Sequence, residues 1–106
     1  MMLGGMPFLK PLVMRLKVIM SEPKRSIIKI LADGQKSTNE IYTALQERGF
    51  EIARSTLYYY LSTLEDLGVI EVAGYREEGG GAPEKIWRLK VRRIGIDLVS
   101  GEIFEE

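Results

Sequence analysis

The chain has 106 residues, 45% of them hydrophobic, with 15 basic and 15 acidic groups and neither Cys nor His. That length supports one domain around one core. Without thiol or imidazole there is no disulfide framework, no Cys/His zinc site and no Cys- or His-based catalysis, so no metal and no cofactor are expected.

An enzyme would be left with carboxylate, Tyr or Ser–Lys chemistry, and no spacing argues for it. The acidic pairs Glu65-Asp66 and Glu77-Glu78 read as solvated surface. The apolar run Met1–Leu9 has no basic stretch before it and is cut by Lys10. With no run of about 20 apolar residues either, neither a signal peptide nor a membrane span is expected, and a cytoplasmic address fits.

Apolar positions Phe8, Leu9, Leu12, Val13, Leu16, Ile19 and Met20 have helical spacing, although Leu12, Met14, Leu16, Val18 and Met20 also alternate as in a strand. Ser21-Glu22-Pro23 then offers a cap and an early proline for a helix carrying Ile27, Ile28, Ile30 and Leu31, ended by Asp33-Gly34. Ser37-Thr38-Asn39-Glu40 is a capping box opening a short helix with Ile41, Ala44 and Leu45 inward, stopped at Gly49. A third core helix is predicted from about Ser55 to Leu67, closed by Gly68.

Val69–Tyr75 reads as a strand, Glu77–Pro83 as a Gly-rich loop, and Lys85–Val91 as a second strand with Trp87, Leu89 and Val91 on one face. Residues 94–106 can form a further hairpin about Ser100-Gly101. The expected architecture is therefore α+β: a three-helix helix-turn-helix core plus a β-hairpin wing. An extra N-terminal helix (1–20) precedes the winged helix-turn-helix (21–91), and a C-terminal extension (92–106) follows it.

Charge is zero in sum but uneven. Residues 1–30 carry six basic groups against one acidic, and residues 31–84 carry four against ten. Any field that attracts phosphate must be local.

The third core helix holds the candidate site. At 100° per residue Leu57, Tyr60, Leu61, Leu64 and Leu67 share one arc and face the core. The opposite arc holds Ser55, Tyr58, Tyr59, Ser62 and Asp66, with Arg54 and Thr63 at its edges. Hydroxyls and rings that donate, accept and pack are what a helix in a major groove needs on its first two turns. Ser55 reads both as an N-cap and as a contact, and Thr56 stands beside it. The Ser37/Thr38 end of the preceding helix offers backbone amides to a phosphate. Arg76, Lys85 and Arg88 supply charge on the wing. No Gly-Lys-Ser/Thr follows the triple glycine, so it is no phosphate loop.

Three segments carry a resemblance. Ser21-Glu22-Pro23-Lys24-Arg25 with Ile27-Ile28-Lys29-Ile30-Leu31 looks like the first-helix signature of ArsR-like winged-helix repressors. Arg54 to Glu71 is similar to the recognition helix and following strand of ArsR-like and PadR-like regulators, and Lys85-Ile86-Trp87-Arg88-Leu89 resembles their second wing strand. The resemblance implies a homodimer that binds a two-fold double-stranded DNA operator, commonly as a repressor, with dimer contacts from terminal helices. Metal-sensing ArsR members use Cys and His ligands, and this chain has neither. The long terminal helices that form PadR effector pockets have no counterpart, so no effector is implied.

An apolar stripe at Phe8, Leu12, Leu16 and Met20 exceeds what three short helices bury, and a partner copy is the expected cover. The reading expected from this site is sequence-specific DNA binding. A winged helix used for protein–protein contact in a transcription or replication assembly is the alternative that the neutral charge favours.

Overall fold

Residues 6–77 and 80–106 are described by the computed structural model, with side chains from residue 10 onward. The side chain of Phe8, and the loop residues Glu78 and Gly79, lie outside the described residues. Nine elements follow in order: α1 (Met6–Met20), α2 (Lys24–Ala32), β1 (Lys36–Ser37), α3 (Thr38–Glu47), α4 (Arg54–Asp66), β2 (Ile70–Arg76), β3 (Glu84–Leu89), β4 (Ile94–Ile96) and β5 (Ile103–Glu105).

The N-terminal segment is helical, with Leu12, Leu16 and Ile19 on one arc, and α1 packs against α2 with Ile19 in the core cluster. The alternating strand pattern loses to that arc. Leu12 and Ile19 are buried and Leu16 half-buried within the chain itself. Of the stripe expected to await a partner, Leu12 is thus covered and Leu16 partly so, while Met20 stays exposed. Among the described side chains of α1, the large apolar ones left exposed are Val13, Met14, Val18 and Met20.

The cap of α2 differs from expectation. Ser21 donates its hydroxyl to the Val18 carbonyl (2.8 Å) and so closes α1. The first turn of α2 is held by Glu22, whose carboxylate accepts from the Ser26 amide (2.8 Å) and hydroxyl (3.0 Å). A carboxylate there also meets the positive end of the helix dipole.

The capping box of α3 forms in full: the Glu40 amide donates to the Ser37 hydroxyl and the Ser37 amide to the Glu40 carboxylate. Ser37 is at the same time a strand residue. β1 pairs with Trp87 and Ile86 of β3 and completes a three-stranded sheet in the order β1-β3-β2. A two-residue strand has no period to read, and the sequence did not signal it.

Helices α3 and α4 end alike. Gly49 (φ +91) and Gly68 (φ +77) take left-handed conformations, and their amides donate to Gln46 and Glu65. The next residues, Phe50 and Val69, return their amides to Leu45 and Leu64. This is the Schellman arrangement, with an apolar residue beyond the glycine folded back on the last turn. It sets where the chain leaves each helix.

The core is one cluster: Ile27, Ile30 and Leu31 of α2, Ile41 and Leu45 of α3, Leu57, Leu61 and Leu64 of α4, with Val69, Ile70 and Trp87. Tyr60 and Leu67, expected inward, are half-buried at its edge. In the wing, Ile70 faces Leu89 and Val72 faces Trp87 before a bulge shifts the register at Gly74. β3 stops at Leu89, short of the expected Val91, because the Lys90 amide turns to the Val69 carbonyl (2.8 Å).

The last two strands, β4 and β5, pair antiparallel in a separate two-stranded sheet. Arg15 of α1 ties three parts together. Its guanidinium donates to the Leu67 carbonyl at the end of α4 (2.5 Å) and bridges to Glu105 of β5 (2.9 Å).

Hydrogen bonding by the Ser37 amide holds the Glu40 carboxyl below its ordinary value of 4.5, with help from the Ser37 hydroxyl and the charge of Arg76. A depressed carboxylate stabilises the fold above its unfolded pKa, and that contribution fades as pH falls through the folded value. The melting temperature of Glu40→Gln is therefore expected below wild type at pH 7, with the gap narrowing below about pH 4.5. A gap independent of pH would remove Glu40 from the acid response.

Candidate nucleic-acid interface

Packing of Leu57, Leu61 and Leu64 into the core turns the opposite face of α4 outward. Tyr58 (56% exposed), Tyr59 (68%), Ser55 and Ser62 stand on that face. The first turn has no side-chain cap: Ala53 occupies the N-cap, and Ser55 lies inside the helix. Ser55 is thus not the expected cap, and its hydroxyl is not committed to the helix start.

The turn between α3 and α4 is braced from both sides. The Tyr42 hydroxyl of α3 donates to the Ile52 carbonyl (3.0 Å), and the Arg54 guanidinium lies over the Tyr42 ring at 4.4 Å. Arg54 also donates to the Asn39 side-chain carbonyl (2.5 Å). These contacts fix the angle of a helix-turn-helix pair and hold Arg54 at the leading end of α4. On the other side of α4, the Lys24 ammonium sits 4.7 Å over the Tyr60 ring, and Tyr59 meets Tyr60 edge to face at 6.0 Å.

A cleft of about 580 Å³ runs between the outer face of α4 and the wing. It brings together Thr38, Tyr58, Ser62, Arg76 and Lys85 among the predicted site residues, and adds Asn39, Glu65, Glu84 and Trp87. Ser55, Thr56 and Tyr59 lie on α4 outside this lining, with Thr56 half-buried. Arg88 is not part of the cleft. It pairs with Glu71 at 2.8 Å across the exposed face of the sheet.

Two expectations for α3 are corrected. Thr38 is buried at 6% exposure, and its hydroxyl accepts from the Trp87 indole nitrogen (3.0 Å) while pointing at the Lys85 carbonyl (3.4 Å). A buried indole N–H needs an acceptor, and Thr38 is that acceptor. The amides of Ser37, Asn39 and Glu40 at this helix start are also taken. Ser37 and Glu40 satisfy each other, and the Asn39 amide donates to the Glu84 carboxylate (2.5 Å). The Thr38 hydroxyl therefore fastens the wing to α3 and is not free for a phosphate.

Asn39 and Glu84 were missed because each acts through a partner 15 or 45 residues away. The one available signal was Trp87, whose indole had to find a buried acceptor. Among the described residues, no three His, Cys, Asp or Glu side chains come close enough to hold a metal ion. Nor, among them, is any helix long and apolar enough to cross a membrane.

The fold is similar to a solved structure of prokaryotic transcription factors, 20% identical, with a TM-score of 0.54 over 81% of this chain and 69% of that one. Two further solved structures are the ferric uptake regulator from Pseudomonas aeruginosa with manganese and the Vibrio cholerae ferric uptake regulator. The first is 22% identical with a TM-score of 0.48, covering 81% of this chain and 65% of that one. The second is 23% identical with a TM-score of 0.41, covering 87% and 64%. This chain thus spans just under two thirds of each of those two regulators. No curated protein matches it in sequence.

The ArsR-like and PadR-like resemblance is not supported; what those regulators share with this chain is the winged helix. Residues 15–80, from within α1 to the wing loop and more than half of the molecule, match the ferric uptake regulator family. The chain belongs to that family, one of transcription regulators and not of enzymes.

Proposed function

We propose that the chain binds double-stranded DNA sequence-specifically as a homodimeric repressor, with α4 in the major groove and the wing on the adjacent backbone or minor groove. The observation that carries this reading is the two-sidedness of α4. Its Leu57, Leu61 and Leu64 face is fully buried, while Ser55, Tyr58, Tyr59 and Ser62 stand exposed. Exposed large aromatics on a braced helix are costly to leave in water, and a base edge or thymine methyl suits them. In this reading residues 21–91 are the reading head, while residues 1–20 and 92–106 serve assembly.

The family name points to iron, and one similar structure carries manganese. Transition-metal sites draw on imidazole and thiolate, and this chain contains neither. Carboxylates alone remain, with no cluster of three among the described residues. The residues present do not fit such an ion, and no step in DNA binding is routed through one.

Assembly is proposed through the apolar side chains that α1 and the hairpin leave uncovered. Val13, Met14, Val18 and Met20 lie on α1, and Leu98, Val99, Ile103 and Phe104 on or beside β4 and β5. The Arg15–Glu105 bridge ties these two elements to each other. A second copy provides the self-complementary cover that such a surface calls for.

Three outcomes are expected. On a duplex selected from a random pool, Tyr59→Ala and Ser55→Ala should each lose about 1–3 kcal/mol of discrimination over random duplex, whereas Arg54→Ala should weaken both and flatten the salt slope by about one. Unchanged affinity and specificity in all three would defeat the assignment of the face. Titrating Mn²⁺ or Fe²⁺ against an EDTA control at constant ionic strength should leave both the duplex affinity and the melting temperature where they were. A saturable rise in either would restore a metal site. Light scattering at tens of micromolar should give the dimer mass, and a monomer mass would refute the assembly.

A further inference from the structure

The cleft between α4 and the wing is electrically self-cancelling. Its two cations, Arg76 and Lys85, share it with two carboxylates, Glu65 and Glu84. Arg76 also reaches the Glu40 carboxylate at 3.4 Å, and Glu84 is held to the Asn39 amide. Asn39 in turn is bonded to Arg54 at the tip of α4. A phosphate arriving at Arg76 meets the Glu40 carboxylate already in place, and Glu65 and Glu84 line the same cleft as Lys85.

We propose that Glu84 and Glu65 act as a brake on the sequence-independent part of DNA binding. The inference rests on the DNA-reading assignment above and names what limits affinity at that same face. Attraction to phosphate is the component of binding that every duplex shares, and it weakens with salt because counterions released into a more concentrated bath gain less entropy. Carboxylates that share the cleft with Arg76 and Lys85, Glu84 standing opposite Arg76 in the β2–β3 register, reduce that component. Base contacts from Ser55, Tyr58 and Tyr59 on α4 do not depend on it. The arrangement lets a chain of zero net charge discriminate between sequences while adhering weakly to bulk DNA.

Glu84 suits this role because it is fixed. The residue is half-buried, and its carboxylate accepts from the Asn39 amide of α3. Glu65 lies exposed on the last turns of α4 and lines the same cleft. It offers a second, structurally mild position at which to test the same effect.

The test is a salt titration of duplex affinity for wild type, Glu84→Gln and Glu65→Gln, each on the selected duplex and on random duplex. Glutamine keeps an acceptor for the Asn39 amide while removing the charge. At 50 mM salt each variant should bind both duplexes about threefold or more tightly than wild type. The gap should close toward 1 M salt, and the slope of log affinity against log salt should steepen by about one. Melting curves run alongside show whether the fold is kept, and Glu65→Gln carries the test if Glu84→Gln is disturbed.

Wild type that binds, with variants that match it at every salt concentration, would overturn the brake and leave the reading face standing. Variants tighter by the same factor at low and high salt would also overturn it, because that gain would not be electrostatic. Absence of binding to any duplex by any of the three proteins would sink the reading face, and the brake with it.

Discussion

Burial of Leu57, Leu61 and Leu64 fixes the rotation of α4 about its own axis, and most other features of the molecule follow from that rotation. A helix with three fully buried leucines on one arc has a single low-energy setting against its core. Truncating one of them would cost about 2–5 kcal/mol, comparable to the whole stability of a small domain. The polar face therefore cannot turn inward to hide Tyr58 and Tyr59. Their exposure is imposed by the core, and it is the cost of this packing that a bound partner would offset.

The supports around α4 act on its position rather than its rotation. The Schellman turn at Gly68 and the Arg15 contact to Leu67 hold its trailing end, while Tyr42, Arg54 and Asn39 hold its leading end. The wing is fastened to the same frame by the Trp87–Thr38 bond and by β1. Both walls of the cleft are thus anchored on α3. That shared anchor keeps the separation of helix and wing constant, which matching a duplex requires.

Much of this was legible in the sequence. The capping box at Ser37–Glu40, the glycines at 49 and 68 and the apolar period of α4 located two helices, α3 and α4, within a residue or two, because each signal is local. The arc of exposed hydroxyls and rings on α4 followed from the same period. What failed was non-local. Thr38 read as a surface residue at a helix start, and only the meeting with Trp87, 49 residues on, turns it inward. Arg88 read as a wing cation, and its register opposite Glu71 sends it to the other face of the sheet. The apolar stripe of α1 was read correctly as helical. Of the stripe expected to meet another copy, Leu12 is buried within the chain while Met20 stays exposed. The family was misread for a related reason: winged helices share the pattern that packing demands, and that pattern does not separate one regulator family from another.

The central claim is that the exposed arc of α4 is the surface that meets DNA. Backbone amide NMR shifts of the chain, followed as a selected duplex is added, test it most directly. The account predicts that the largest changes fall between Arg54 and Thr63, with a second set on the wing about Arg76 and Lys85. Shifts confined to α1 and the β4–β5 hairpin, with residues 54–63 unmoved in the presence of saturating duplex, would contradict it.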